Sequence, residues 1–555
     1  MPSAPVLVSN PANANISRHL GLMAQAQPDR PALKIPRGRT SRGEIDYLTL
    51  SFAELDAEVN LWAAQLTASG VSRGDRTLLM VRQGLPLIAA AFALFRIGAV
   101  PVIIDPGMGL KSFLACVSRS QPRALVGIPL ARLISRIFRR PFASVKVRVG
   151  ASGSLTARLA PSEARGVVPA ESQNAATDLA AVLFTSGSTG APKGVCYEHG
   201  MFEAQVRLIR ETYGIQPGEI DLPMLPIFAL FNPALGMTTI VPEMDPRRPA
   251  QVDPARIVQA IQQEQVTNSF GSPTLWHKIS EHCRATGVTL PTLRRVLCAG
   301  APVPAALWRR SEEFLPSGQL HSPYGATEAL PVATISAAEA QPDDLRGACV
   351  GRALPGIEVR VIPITDGPIA GIAAAGSCAP GEVGELIVRG SVVTKSYDAL
   401  PEATRLAKIA DVAPGEVWHR MGDCGWIDEV GRIWFCGRKA ERVVTPKGTF
   451  HTEPCERVFR AHPRAARCAL IGIEFHGRPQ AALVVEAEVR NSAEARGLTR
   501  ELRALALQHA QTAEIEIFYF HPRFPVDVRH NAKIHRLTLA RWASTSRGFK
   551  SDPKR

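Results

Sequence analysis

Short uninterrupted apolar runs punctuate the first three-quarters of the chain: RTLLMV at 76–81, AVPVIID at 99–105, LAAVLFT at 179–185 and RRVLCAG at 294–300. Continuous apolar character is what a strand buried on both faces requires, and the segments between these runs read as amphipathic helices. The alternation predicts an α/β architecture with largely parallel sheets. The most apolar stretch, LPLIAAAFALFRIGAVPVIID at 85–105, is interrupted by Pro86, Arg96, Gly98 and Pro101. A membrane span needs about 18–20 unbroken apolar residues, so this stretch predicts a buried helix, a glycine turn and a strand ending at Asp105. After the Gly/Ala/Pro-rich segment 367–385 the signals turn more β-like, and around 437–448 they change again to a compact α+β pattern. The expected organisation is a large N-terminal domain over 1–437, with mixed and parallel sheets flanked by helices, and a small α+β domain over 438–555.

One helical pattern stands apart. In PLARLISRIFRRPF, Leu130, Leu133, Ile134, Ile137 and Phe138 recur at helical spacing, with Arg132, Arg136, Arg139 and Arg140 on the other face. A basic amphipathic helix of this kind over 130–140 lies on an anionic membrane, docks a partner, or packs its apolar side onto its own domain.

Composition changes the picture only slightly. With 555 residues, 46% of them hydrophobic, the chain has ample material for a large core. The formal charge is 64 − 50 = +14, yet only 12 of the 64 basic residues are lysines. The basic residues read as scattered, so nucleic-acid binding is not expected. The ten cysteines form no C-x-x-C pair and join no histidine cluster, which predicts neither a zinc site nor a disulfide framework. With no basic segment followed by an apolar one at the start, the expected compartment is a reducing cytoplasm.

The strongest chemical signal is FTSGSTGAPKGV at 184–195, directly after an apolar strand and before a helix-compatible segment. Gly187, Gly190 and Gly194 permit close backbone approach, Ser186, Ser188 and Thr189 offer donors to phosphate oxygens, and Lys193 adds a mobile cation. The spacing is not that of a Walker loop.

This loop resembles the phosphate loop of the adenylate-forming superfamily, and five further motifs follow in that superfamily's order: SPYGATEALPV (322–332), GEVGELIVRG (381–390), VWHRMGDCGWID (417–428), GRKAERVVTPKG (437–448) and NAKIHR (531–536). The resemblance implies ATP and Mg²⁺ as cofactors and a mobile C-terminal lid. It implies that Thr185, Ser186, Gly187, Ser188, Thr189, Gly190 and Lys193 hold phosphates. Tyr324, flanked by Gly325 and Ala326, would stack on adenine, with Gly300, Ala301 and Pro302 completing the base pocket. Thr327 would touch phosphate and Glu328 would hold the metal. Asp423 would take the ribose hydroxyls and Arg438 would add a ribose or phosphate contact. Lys533 would be the catalytic cation bridging carboxylate and α-phosphate.

Departures narrow the resemblance. In LPIFALFNPALG (225–236), Phe228 is followed by Ala229 where an aromatic–His pair is frequent; Ala440 replaces the usual hinge Asp or Lys; Ala532 replaces a Gly. Together with GRKAERV…TEPCERVF and FPVDVRHNAKIHR, the chain resembles the β-lactone synthetases of bacterial olefin biosynthesis. That implies a long-chain 3-hydroxy fatty acid as substrate, other enzymes of the olefin pathway as partners, and a location in the cytoplasm or at the inner membrane's edge. An acyl-CoA or acyl-carrier-protein ligase is the alternative. Phe228, Phe231, Met237, Ala299 and Leu330 are candidates for a long apolar pocket, and His199, His321 and Asp221 are candidate bases for the 3-hydroxyl.

Overall fold

The structure is a computed structural model that describes residues 13–151, 170–185, 191–245, 248–475, 477–526 and 534–550. The sequence-predicted strands appear as Arg76–Met80, Val100–Ile104, Leu179–Thr185 and Arg295–Cys298. The apolar stretch at 85–105 is the helix Leu85–Arg96, ten of whose twelve residues are buried, a turn at Gly98 with φ +69°, and the strand Val100–Ile104.

Two sheets carry the parallel architecture. A nine-stranded sheet has Arg295–Cys298, Asn268–Gly271, Ile220–Pro223, Thr238–Ile240 and Pro31–Arg39 running parallel at its centre, closed by antiparallel strands at both edges. A six-stranded sheet runs Val147–Gly150, Ala124–Gly127, Arg76–Met80, Val100–Ile104 and Leu179–Thr185 in parallel, then turns back along Lys193–Glu198. Between the sheets lies a core that includes the apolar face of helix Phe52–Ala68: Phe52, Leu55, Val59, Trp62 and Leu66. That helix starts where Ser51 accepts from the Glu54 amide (3.2 Å) while Glu54 accepts from the Ser51 amide (2.7 Å), a reciprocal cap that satisfies two otherwise orphaned donors.

A third sheet is antiparallel and is built on the long strand Val417–Ile427, between Gly384–Arg389 and Ile433–Arg438. Past a single turn at Lys439–Glu441 comes a smaller α+β body with its own core, in which Cys468–Phe475, Arg478–Glu486 and Ile517–His521 pack on helices Thr452–Arg460 and Ser492–Ala506. The large N-terminal and small C-terminal domains are thus both present. Arg457 ties them by donating to the carbonyls of Pro342 and Asp344 (3.2 and 3.0 Å).

The basic helix forms as Pro129–Ile137 but does not pack as a surface helix ordinarily would. Ala131 and Ser135 are buried, and Ile134 and Phe138 lean on the core, whereas Leu130, Leu133 and Ile137 point outward. Of the three alternatives for this helix, packing onto its own domain accounts for Ile134 and Phe138 but not for those three residues. Among the described residues no helix is long and apolar enough to cross a membrane, no cluster of metal-ligating side chains occurs, and every cysteine is free.

Candidate active site

The glycine- and serine-rich loop leaves the carboxyl end of Leu179–Thr185, where a parallel sheet places ligand-facing turns. Ser186, Gly187, Ser188, Thr189 and Gly190 lie outside the described residues. The loop's returning arm pairs Lys193 with Thr185, and Lys193 Nζ sits 4.8 Å from the centroid of the Tyr397 ring. Gly194 is there for space: a Cβ would meet Phe184 at 2.8 Å, Val182 at 3.0 Å and Asp398 at 3.1 Å.

Three sequence-predicted residues from three strands meet beside this arm. Tyr324, on Gln319–Ala326, donates its hydroxyl to Asp423 Oδ2 at 2.6 Å, and Arg438 donates to Asp423 Oδ1 at 2.7 Å. Asp423 and Arg438 are direct cross-strand partners in the antiparallel sheet, so the register itself aims the guanidinium at the carboxylate. Asp423 is 4% exposed. Its charge holds the Arg438 guanidinium above its ordinary range, and burial with the adjacent carboxylate raises the Tyr324 phenol well above its own. Tyr324 therefore stays a neutral donor. A carboxylate has about four lone-pair directions, so Asp423 keeps acceptor capacity for two further donors after both contacts.

Glu328 is placed by residues that the sequence reading missed. Tyr397 donates to Glu328 Oε1 at 2.8 Å, which leaves the other carboxylate oxygen for a cation. The Thr394 amide and hydroxyl both donate to the Glu328 carbonyl, at 2.9 and 3.1 Å. Thr394 in turn receives the ammonium of Lys408, a fully enclosed lysine whose pKa burial pushes down to about 7. Tyr197 binds the neighbouring carbonyl, that of Thr327. The signal available for Lys408 was its type, since a lysine inside an apolar run is unusual in a chain with only 12. Behind these residues Arg420 and Glu385 form a buried pair at 2.6 Å, and Lys439 at the domain junction adds a second cation to Glu385 at 3.1 Å.

Gly300, with φ +98°, opens the exposed turn Gly300–Ala301–Pro302 at the carboxyl end of Arg295–Cys298. Of the apolar candidates, Phe228 stacks on Phe270 with centroids 3.7 Å apart and lies 6.4 Å from Phe231. Met237 is buried; Ala299 and Leu330 are half-buried. A narrow apolar cavity opens beside them, walled by Ala229, Pro226, Met224, Leu87 and Ile88. None of the five candidates lines it, though Ala229 is the neighbour of Phe228.

The three candidate bases do not converge. His199 is buried at the head of helix His199–Tyr213 and burial lowers its pKa to about 4; His321 is also lowered to about 4 and packs edge-on to Tyr213. Asp221 is buried in the nine-stranded sheet, accepts from Asn232 at 2.8 Å, and is pushed up to about 7 by burial. None of the three bonds to Tyr324, Glu328 or Asp423 among the described residues. Lys533 lies outside the described residues; Val526 and Ile534, on either side of its segment, form an isolated antiparallel β-bridge.

Comparison with known proteins adds to this geometry. The model of a family described as AMP-binding enzyme matches residues 22–398. The chain is 42% identical over 548 residues to an olefin beta-lactone synthetase of Xanthomonas campestris pv. campestris, covering 96% of this chain and 98% of the relative. It is 43% identical over 546 residues to one from Stenotrophomonas maltophilia, with the same coverage, 96% and 98%. The structure of an amide bond synthetase from Marinactinospora thermotolerans superposes with a TM-score of 0.76 at 24% identity, over 96% of this chain and 99% of that one, a likeness of fold.

Proposed function

Since this chain belongs to the AMP-binding enzyme family, we propose that it adenylates a long-chain 3-hydroxy fatty acid and closes the acyl-adenylate to a β-lactone. It is an AMP-forming ligase by family; the lactone rests on the two bacterial relatives, similar along nearly the whole of both chains. In the first step the substrate carboxylate attacks the α-phosphorus of ATP and pyrophosphate leaves. In the second the substrate's own 3-hydroxyl attacks the acyl carbon and gives up its proton, and AMP leaves as the ring closes. Because both partners belong to one molecule, an effective molarity of about 10⁵–10⁸ M is available without an external thiol. Ala229, where thiol-using relatives often carry histidine, fits a site that admits none.

In this reading the loop from Thr185 to Gly190 and Lys193 hold the phosphates with Thr327. Tyr324 carries adenine against Gly325, Ala326 and Gly300–Ala301–Pro302, while its hydroxyl fixes Asp423 for the ribose. Arg438 steadies Asp423 by donating to its Oδ1. Glu328, with one oxygen occupied by Tyr397, would hold Mg²⁺ through the other; when bound, that ion supplies charge neutralisation on the triphosphate. Lys533 stabilises the negative charge that gathers between carboxylate and α-phosphate, a role in which one preorganised donor is worth about 3 kcal/mol. The acyl chain runs along Phe228, Phe231, Met237, Ala299 and Leu330 toward the apolar cavity. In this reading the domains divide at 437/438, within one residue of the end of strand Ile433–Arg438.

The test is incubation with ATP, Mg²⁺ and a long-chain 3-hydroxy acid in the absence of coenzyme A. AMP and β-lactone should accumulate together. Absence of lactone, with a thioester forming once coenzyme A is added, would overturn the lactone and leave an acyl-CoA ligase.

A further inference from the structure

Mapping acids along with bases turns a scattered charge excess into a local one. Residues 106–162 contain no Asp or Glu and ten Lys or Arg, so this stretch alone carries ten of the chain's fourteen net positive charges. Some of those cations are engaged: Arg123 pairs with Asp75, Arg119 donates to the Pro192 carbonyl and Arg148 to Ser135. Arg132, Arg136, Arg139 and Arg140 form no ion pair among the described residues, in a protein where most buried charges are matched.

The same four surround the outward stripe of helix Pro129–Ile137. Leu130, Leu133 and Ile137 are 60%, 52% and 62% exposed. At spacings of three and four residues they form one ridge. The helix already has an anchoring side, through Ala131, Ser135, Ile134 and Phe138. The ridge is therefore a second apolar face, displayed by a helix held down on the first.

We propose that this ridge, with its unpaired arginines, docks the enzyme reversibly on an anionic phospholipid surface. The occupant follows from charge and shape. A protein partner would have to place several acids in register opposite these guanidiniums, and acids are depleted at protein interfaces. An anionic bilayer offers phosphate at every position and receives a convex ridge without a matching groove. It also lets arginine stems lie along acyl chains while their heads reach the phosphates. Three aliphatic side chains alone give weak binding, so the cations and the ridge are both needed. The proposal uses none of the residues assigned to the nucleotide and stands whichever acid the enzyme activates.

The test is co-sedimentation of the full chain with vesicles of mixed phosphatidylglycerol and phosphatidylcholine, and with pure phosphatidylcholine. Binding to the mixed vesicles should be stronger by about tenfold or more, and should fall as salt rises. Leu130→Ser with Leu133→Ser and Ile137→Ser, and separately Arg136→Gln with Arg139→Gln and Arg140→Gln, should each cut binding about tenfold. Nucleotide binding and melting temperature should stay at the wild-type value in both. Equal binding by wild type and both variants would overturn the proposal. So would absence of vesicle binding in wild type. In that case altered self-association of the serine variant would assign the ridge to a second copy, and a lowered melting temperature would assign it to another segment of this chain.

Discussion

Arg420 and Arg136 are the same residue type placed in opposite worlds. Arg420, on strand Val417–Ile427, is 5% exposed, and donates to Glu385 and to the carbonyls of Thr365, Gly367 and Leu406. Arg136, on helix Pro129–Ile137, is exposed and unpaired among the described residues, beside aliphatic side chains that are exposed as well. Around strand Val417–Ile427, charge has become structure: Arg420 and Glu385 hold each other, Arg438 holds Asp423, and the Thr394 carbonyl holds Lys408, because a buried ion left alone in a low dielectric is costly. Around the helix, charge stays in water and remains available to something outside the chain. Net charge counted along the sequence cannot separate the two roles; burial can.

The comparison is best broken at Arg420. Arg420→Met leaves Glu385 almost fully buried with only Lys439 facing it, and should cost about 3–5 kcal/mol in chemical denaturation. Next comes Asp423→Asn, which swaps a carboxylate between Tyr324 and Arg438 for a neutral amide. Adenylation, read as ATP–pyrophosphate exchange, should drop about 100-fold, or about 2.7 kcal/mol of transition-state stabilisation. Unchanged exchange would remove Asp423 from the active site.

Asp221 is the intermediate case, a buried carboxyl with an amide partner and no cation. Its folded pKa of about 7 lies above the ordinary value of 3.8, so the folded state holds the proton more tightly than the unfolded chain. Its contribution is fully present below the unfolded pKa and is lost as pH rises toward 7. Asp221→Asn keeps an acceptor for Asn232 and removes that loss. The variant's stability relative to wild type should rise by about 2 kcal/mol between pH 5 and pH 8, measured by denaturation at each pH. The smallest effect belongs to the other pole of the comparison: Arg136→Gln should leave melting unchanged, since nothing described depends on it.

Legibility followed distance along the chain. The strand before the glycine-rich loop and the buried helix at 85–96 are local patterns, and each is where its pattern puts it. Tyr324, Asp423 and Arg438 were legible as motif members, but their mutual hydrogen bonds were not, because three strands have to pair in register to make them. Tyr397 and Tyr197 lie 69 and 130 positions from the residues they position, Glu328 and Thr327, and no local pattern points across such gaps. Lys408 belongs to none of the six motifs, and only the fold shows that it is buried against Thr394. The narrow apolar cavity was not legible either: its walls, among them Ala229, Met224, Leu87 and Ile88, come from segments far apart in the chain.

By itself the sequence determined the α/β class, the order of the six motifs and the small second domain, because these depend on hydrophobic period and short-range spacing. Only the tertiary structure decided which charges are spent. It paired Asp423 with Arg438 and Glu385 with Arg420, lowered Lys408 and raised Asp221 by taking them out of water. It turned Leu130, Leu133 and Ile137 outward beside arginines that form no ion pair among the described residues. Proton affinity and pairing depend on distance through space and on exclusion of water, and a linear order of residues contains neither.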